Sequence, residues 1–312
     1  MDNEYITILC SEFNDSYSPL TRAQFWELYH KCGDSVEGMI NSGDARVNTL
    51  LGRSGSIAFA LDKLNNMGIR IVTFLDDDFP PLLRSKLKDF CPPLLYVCGD
   101  SSLLQYNYAG YVGSRSIADK DAAWTKMMVE KNISAGFGIV SGGAKGIDSI
   151  SMDHALGLGG KVIAYLPDNI KTKITDKDYR RMIINKQLLL LSHVSPLAKK
   201  SKNTFVAAAM ERNKFIYAQS SATAVVRSDL EKGGTWAGAT EALKHKWSYV
   251  FVWDNKNYPG NQRLIELGAY PLDDNGKKAA GAATGTIADS ATDNQNKTGS
   301  KQISIFDLTD QE

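Results

Sequence analysis

Val140-Ser141-Gly142-Gly143-Ala144-Lys145-Gly146-Ile147-Asp148 is the stretch whose reading decides the fold of this chain. An apolar run at 137–140 precedes it and an apolar-periodic segment from Ile147 to Leu158 follows. That pattern predicts a strand, a glycine-rich turn and the start of a helix. Gly142, Gly143 and Gly146 allow a tight turn and leave no Cβ between the backbone amides and a guest. Amides at a helix N-terminus attract anions, phosphate in particular. A smaller copy lies upstream: Gly110-Tyr111-Val112 ends a strand, Gly113-Ser114-Arg115 turns, and a helical run begins at Asp119. Two such turns after neighbouring strands open on one edge of a parallel sheet, where ligands of such sheets bind. Glycines that only close tight turns are the simpler account. Arg115 in one turn and Lys145 in the other favour phosphate binding.

Working outward, strands are expected at 109–113, 137–141, 161–166, 187–192, 222–227 and 248–253, with helices between most of them. This alternation predicts an α/β fold, a doubly wound parallel sheet. From Lys171 to Lys214 there are 11 Lys and Arg against three acids (Asp176, Asp178, Glu211), an excess of +8 in a chain of net charge +1. The run ends in Arg212-Asn213-Lys214. It reads as an electrostatic footprint for a polyanion rather than a merely solvated face.

Upstream, residues 1–67 read as short helices forming a small helical N-terminal domain. Thr21 caps a helix over 22–31 whose apolar side carries Phe25, Trp26, Leu28 and Tyr29. A second helix over 54–67 turns Ile57, Phe59, Ala60, Leu61 and Leu64 inward and ends at Gly68. A strand follows at 68–74. Asp76-Asp77-Asp78 invites a metal reading, but adjacent side chains diverge and Pro80-Pro81 opens a helix, so a solvated turn is expected. Cys10, Cys32, Cys91 and Cys98 show neither CxxC spacing nor a nearby His set, so no zinc site and no other metal or cofactor is called for. Reduced cysteines, no signal-peptide pattern at Met1 and no apolar run of about 20 residues predict a cytoplasmic protein with no membrane partner.

Downstream, residues 273–300 lack the apolar residues for a core and predict a disordered linker. Within the tail 301–312, Gln302-Ile303-Ser304-Ile305-Phe306 forms an apolar island, as partner-binding peptides do.

These pieces together resemble the DNA-processing protein A family (DprA, also called Smf) over Gly68 to Leu272. Gly113-Ser114-Arg115 matches its GSR turn, Ser141 to Asp148 its SGxAxGID, and Arg212-Asn213-Lys214 its RNR segment. Gly260 to Ala269 is similar to its closing G-x-N-x-LI-x-x-GA. The resemblance implies an extended Rossmann-like domain that binds single-stranded DNA in recombination and natural transformation, loads a RecA-type recombinase and forms a homodimer. It marks a divergent member. Met152 stands where the family has His, Arg227 where it has Glu, and no winged-helix domain follows Leu272. The tail resembles the bacterial sliding-clamp-binding motif QL[SD]LF, with Gln302, Ile305 and Phe306 as anchors, and implies a clamp partner.

The leading expectation is a single-stranded-DNA-binding protein with no catalytic residues. Arg115, Lys145, Arg212 and Lys214 would meet phosphates, and amides of Ser114 and Gly142, Gly143 and Ala144 would complete the cradle. Asn213 and Ser141 would flank it, and Phe215 or Tyr217 would stack a base. The alternative is a nucleotide-binding sensor or a LOG-like nucleotide hydrolase, with Asp148, His154 and Glu241 as acid–base candidates. An interaction scaffold recruited by its tail is a third reading.

Overall fold

The structure is a computed structural model and describes residues 1–13, 16–167, 170–198 and 202–278. The chain opens with α1 (Asp2–Cys10), α2 (Arg22–Lys31), α3 (Val36–Ile40), α4 (Ala45–Leu51) and α5 (Ser54–Asn66). Then come β1 (Arg70–Thr73), α6 (Pro81–Leu87), β2 (Leu94–Cys98), β3 (Tyr108–Val112), α7 (Asp119–Ser134), β4 (Gly138–Ser141) and α8 (Ile147–Gly157). Next are β5 (Val162–Tyr165), α9 (Lys171–Ile174), α10 (Lys177–Ile184), β6 (Leu188–Ser192), α11 (Lys202–Gln219) and β7 (Ala222–Val225). The series closes with α12 (Gly233–His245), β8 (Tyr249–Trp253), α13 (Pro259–Glu266) and β9 (Tyr270–Leu272).

Local sequence accounts for several of these boundaries. The Thr21 hydroxyl accepts from the Gln24 N–H while the Gln24 side chain accepts from the Thr21 N–H, a reciprocal cap that starts α2 where expected. Gly68 ends the α5 region at φ +70°. Ile57, Ala60 and Leu64 of α5 face inward as the spacing predicts, but Phe59 is 82% exposed. It lies off the i, i+3, i+7 stripe that the other three occupy, so its size misled the reading. The aspartate turn is built by hydrogen bonds: Asp76 accepts from the Thr73 N–H and hydroxyl, and Asp78 pairs with Arg70 at 2.8 Å.

The nine strands among the described residues join one sheet in the order β1-β2-β6-β5-β4-β3-β7-β8-β9. From β6 to β9 neighbours are parallel, and β1 and β2 add an antiparallel edge. Both faces are covered. Alternate residues along a strand therefore enter opposite cores, as the pleat requires. Leu189 and Leu191 of β6 pack with Phe215 and Ile216 of α11, whereas Leu188 and Leu190 pack with Val129 of α7 and Ala155 of α8. Ile6, Leu9 and Phe25 belong to the first of these clusters, so Gly68 marks a change of secondary structure rather than a change of core.

The parallel strands fill the sheet in one direction from β3 to β6, after which β7 to β9 fill it in the other. The order reverses between β3 and β7, which makes that junction the topological switch point of the sheet. The α11 helix is the long crossover that carries the chain there. Beyond Leu272 the chain stays packed as far as Lys278, inside the segment expected to be a linker. The Trp124 indole donates to the Asp273 carbonyl at 3.1 Å, the Trp253 indole to Asp274 at 2.9 Å, and Lys131 to the Asn275 carbonyl at 2.6 Å. The tail motif at 302–306 lies outside the described residues.

Leu189 is fully buried in a central strand. Leu189→Ala is expected to cost about 2–5 kcal/mol of unfolding free energy, measured by urea denaturation.

Candidate nucleic-acid cleft

The turns after β3 and β4 sit side by side and interlock, because β3 and β4 are adjacent and parallel. The Ile147 N–H donates to the Ser114 carbonyl at 3.4 Å. Gly146 sits at φ +90°, and a Cβ there would come within 2.4 Å of the same oxygen, so only glycine fits. At the switch point between β3 and β7 a cleft of about 750 Å³ opens. Such a volume lies within the ordinary range of ligand sites, and the location is where open α/β sheets bind their ligands.

Its floor is an ion pair. Arg212 of α11 donates to Asp148 of α8 at 3.2 Å, with side-chain exposures of 4% and 7%. The Arg212 guanidinium lies directly against Gly142, where a Cβ would fall 1.3 Å from Nη1. The second glycine turn is therefore open on this side to admit a guanidinium from its own chain. Burial raises the Asp148 carboxyl above its ordinary value, while Arg212 and the amides of Ala144 and Gly142 oppose that shift. The Ala144 N–H is bound to Asp148 at 3.4 Å. The Ser114 N–H is bound to the Arg227 carbonyl at 3.0 Å. These amides, expected to cradle a phosphate, already serve the protein's own oxygens.

Of the expected site residues, Gly113, Ser114, Arg115, Ala144, Arg212 and Asn213 line the cleft. Lys145 is exposed on the turn beside it. Ser141 is fully buried and donates to the Tyr111 carbonyl at 2.6 Å, tying β4 to β3. Asn213 donates to the Gly234 carbonyl at 2.9 Å and so fixes the start of α12. Lys214, expected in the same set, is not among the residues that line the cleft. Residues two apart on a helix diverge by roughly 200°, so Arg212 and Lys214 cannot share a face. Lys214 turns to Glu211 at 2.9 Å, Glu241 at 3.6 Å and the Phe90 ring. Arg22 of α2 closes that network at 2.8 Å from Glu211. Burial opposes ionisation of Glu211, but Lys214 and Arg22 hold its carboxyl below the ordinary value. The network fastens the N-terminal helices to α11.

Of the two aromatic residues expected to stack a base, Phe215 is fully buried in the core, whereas Tyr217, 1% exposed, lines the cleft. The exposed apolar residues at the cleft come from the other end of the helix, with Val206 and Met210 in its lining and Phe205 beside it. The Arg115 guanidinium sits 6.0 Å from the Phe205 ring. Trp236 and Ala237 of α12 also contribute. The run Phe205 to Met210, apolar within a basic segment, was the available signal.

Arg227, where the resemblance led us to expect Glu, also lines the cleft. It pairs at 3.3 Å with Asp121, which is wholly buried and also accepts from the Tyr258 hydroxyl. The change is matched by a carboxylate inside the fold. Asp148, His154 and Glu241, the acid–base candidates of the hydrolase reading, do not converge. Only Asp148 lines the cleft, His154 pairs with Glu130 at 2.8 Å, and Glu241 faces Lys214.

Arg212→Ala is expected to cost about 3–5 kcal/mol at neutral pH, because it leaves Asp148 buried without its partner. The loss should shrink as pH falls and Asp148 takes up a proton, since its raised folded pKa favours the protonated form in the folded chain. Denaturation of variant and parent across the acid range measures both.

Comparisons with known proteins agree with this geometry. The profile of the DNA recombination-mediator protein A family matches residues 70–280. Protein Smf from Synechocystis is 28% identical over 242 residues, covering 75% of this chain, while the chain spans 59% of that relative's length. The fold matches DNA processing protein A from Streptococcus pneumoniae with a TM-score of 0.67 at 22% identity, covering 87% of this chain and 94% of that one. It also matches the Helicobacter pylori protein, studied for its single-stranded DNA binding mode, with a TM-score of 0.53 at 25% identity over 65% of this chain and 90% of that one. With the interlocked turns, the switch-point cleft and a profile match from β1 to past β9, the chain belongs to the DNA recombination-mediator protein A family.

Proposed function

We propose that this chain binds single-stranded DNA in the switch-point cleft and serves as an accessory to recombination. The observation that carries the reading is the exposed cation Arg115, held at the mouth of that cleft by a turn locked to its neighbour. Four cations (Arg115, Arg212, Arg227, Lys232) and three carboxylates (Asp148, Asp229, Glu231) line the space. Arg212 and Arg227 are committed to Asp148 and Asp121. Phosphate contact therefore falls to Arg115 and Lys232 in the cleft, with Lys145 beside it. The first turn of α12 adds its backbone amides, since no side chain caps it.

The basic segments α9 and α10 follow β5, which lies next to β4, so they begin at the same edge of the sheet as the glycine turns. A strand leaving the cleft in that direction would meet Lys171, Lys173, Lys177, Arg180 and Arg181. In this reading the chain delivers DNA to a RecA-type recombinase as a homodimer, and Gln302 to Phe306 recruit it to the sliding clamp. The reading calls for no catalytic residue.

Arg115→Ala is expected to weaken binding of a labelled oligothymidylate and to lower the slope of log K against log salt by about 0.7, one phosphate's worth. Fluorescence anisotropy over a salt series measures it. Phe306→Ala is expected to abolish co-precipitation with the sliding clamp while oligonucleotide affinity stays as in the parent. Retained clamp capture would remove the tail from the account.

A further inference from the structure

Arg115 stands on a short connection, in which residues 114–118 lead from the end of β3 and Gly113 to the start of α7 at Asp119. An exposed cation on such a loop contributes to binding only as far as the loop already holds it in place, because ordering a loop on contact costs affinity. Inside the loop, the Ser116 N–H donates to the Ser114 hydroxyl at 3.1 Å. That contact is local, and the ends of the loop are fixed from elsewhere.

One residue reaches both ends. The Arg227 carbonyl accepts from the Ser114 N–H at 3.0 Å. The Arg227 guanidinium donates to Asp121 at 3.3 Å. Asp121 is wholly buried in the first turn of α7, and the same carboxylate oxygen accepts from the Ala118 N–H at 2.9 Å. Its other oxygen accepts from the Tyr258 hydroxyl. Arg227 thus grips the loop on either side of Arg115. It is itself held firmly, since the buried Asn261 of α13 donates to the Val226 carbonyl at 3.0 Å and accepts from the Ser228 N–H at 2.8 Å. The Tyr258 ring covers its guanidinium, 4.9 Å away.

We propose that Arg227 is a positioning residue for the strand. Its hold on Ser114 and Asp121 fixes where Arg115 meets a phosphate, while its own charge is directed into the fold. A glutamate at this position would set a second carboxylate against Asp121 and repel it, so Arg227 and the buried aspartate form a matched pair in this chain. The inference rests on the single-stranded DNA reading and names the residue through which its phosphate contact is set.

A double-mutant cycle with Arg115→Ala tests it, read by anisotropy of a labelled oligothymidylate. Arg227→Met removes the grip on Asp121. Asp121→Asn/Arg227→Met removes it without leaving a buried charge unpaired, and thermal melting of both checks the fold. Each folded variant is expected to bind about tenfold more weakly than the parent. When either is combined with Arg115→Ala, affinity should differ from that of Arg115→Ala alone by less than about twofold, because the effect passes through Arg115. Arg227→Lys, which keeps a cation opposite Asp121, is expected to restore most of the affinity. Losses that add to that of Arg115→Ala would make Arg227 an independent phosphate contact and overturn the proposal. Parent-like affinity in either folded variant would overturn it too, leaving strand binding standing. Failure of the parent to bind oligothymidylate would remove the DNA reading itself, and the positioning role with it.

Discussion

The ion pair between Asp148 and Arg212 is the contact on which the rest of this architecture depends. Its partners stand on α8 and α11, helices that cover opposite faces of the sheet. The pair therefore closes over the carboxyl edge and ties the two layers where the strand order reverses. Gly142 must lack a side chain for the guanidinium to reach the carboxylate. The amides of the turn then settle on the same carboxylate. An ion pair with so little exposure contributes modest net stability, but losing either member is costly. Its main effect is geometric, fixing the glycine turns, the floor of the cleft and the rotation of α11 together.

That rotation divides α11 into separate tasks. Arg212 faces the cleft, Asn213 holds the start of α12, and Lys214 joins Glu211, Glu241 and Arg22 beneath the N-terminal helices. The consecutive motif Arg212-Asn213-Lys214 thus makes three separate contacts within the fold. With these cations committed inward, attraction for a polyanion rests on Arg115, Lys145 and Lys232 and on the basic run through α9 and α10. In the proposed reading, affinity depends on salt through these few exposed contacts.

Much of the fold was legible in the sequence, because the features that encode it are local. Short apolar runs alternating with helical stretches located the parallel strands β3 to β8 to within a few residues, though not β9, and the two glycine turns with their following helices identified the βα units. Thr21 placed the start of α2 correctly. What was not legible depended on long-range partners. Asp148 reads as one more helix-start acid until Arg212 arrives from 64 positions away. Lys214 reads as a cation for DNA until the helix turns it toward Glu241. Residues 273–278 have a linker's composition, yet they pack because Trp124 and Trp253 present indole donors to them. Phe59 shows the opposite error, an apolar residue assigned inward on its chemistry and placed outward by helical phase.

The location of the strand is the central claim, and photocrosslinking tests it most directly. A 5-iodouridine-substituted single strand would be bound to the full chain, irradiated, and its peptide adducts identified by mass spectrometry. The account predicts adducts at Phe205, Trp236 or their immediate neighbours around the cleft, suppressed by unlabelled oligothymidylate. Adducts confined to α9 and α10, or to the N-terminal helices, would contradict it and leave the switch-point cleft without a strand.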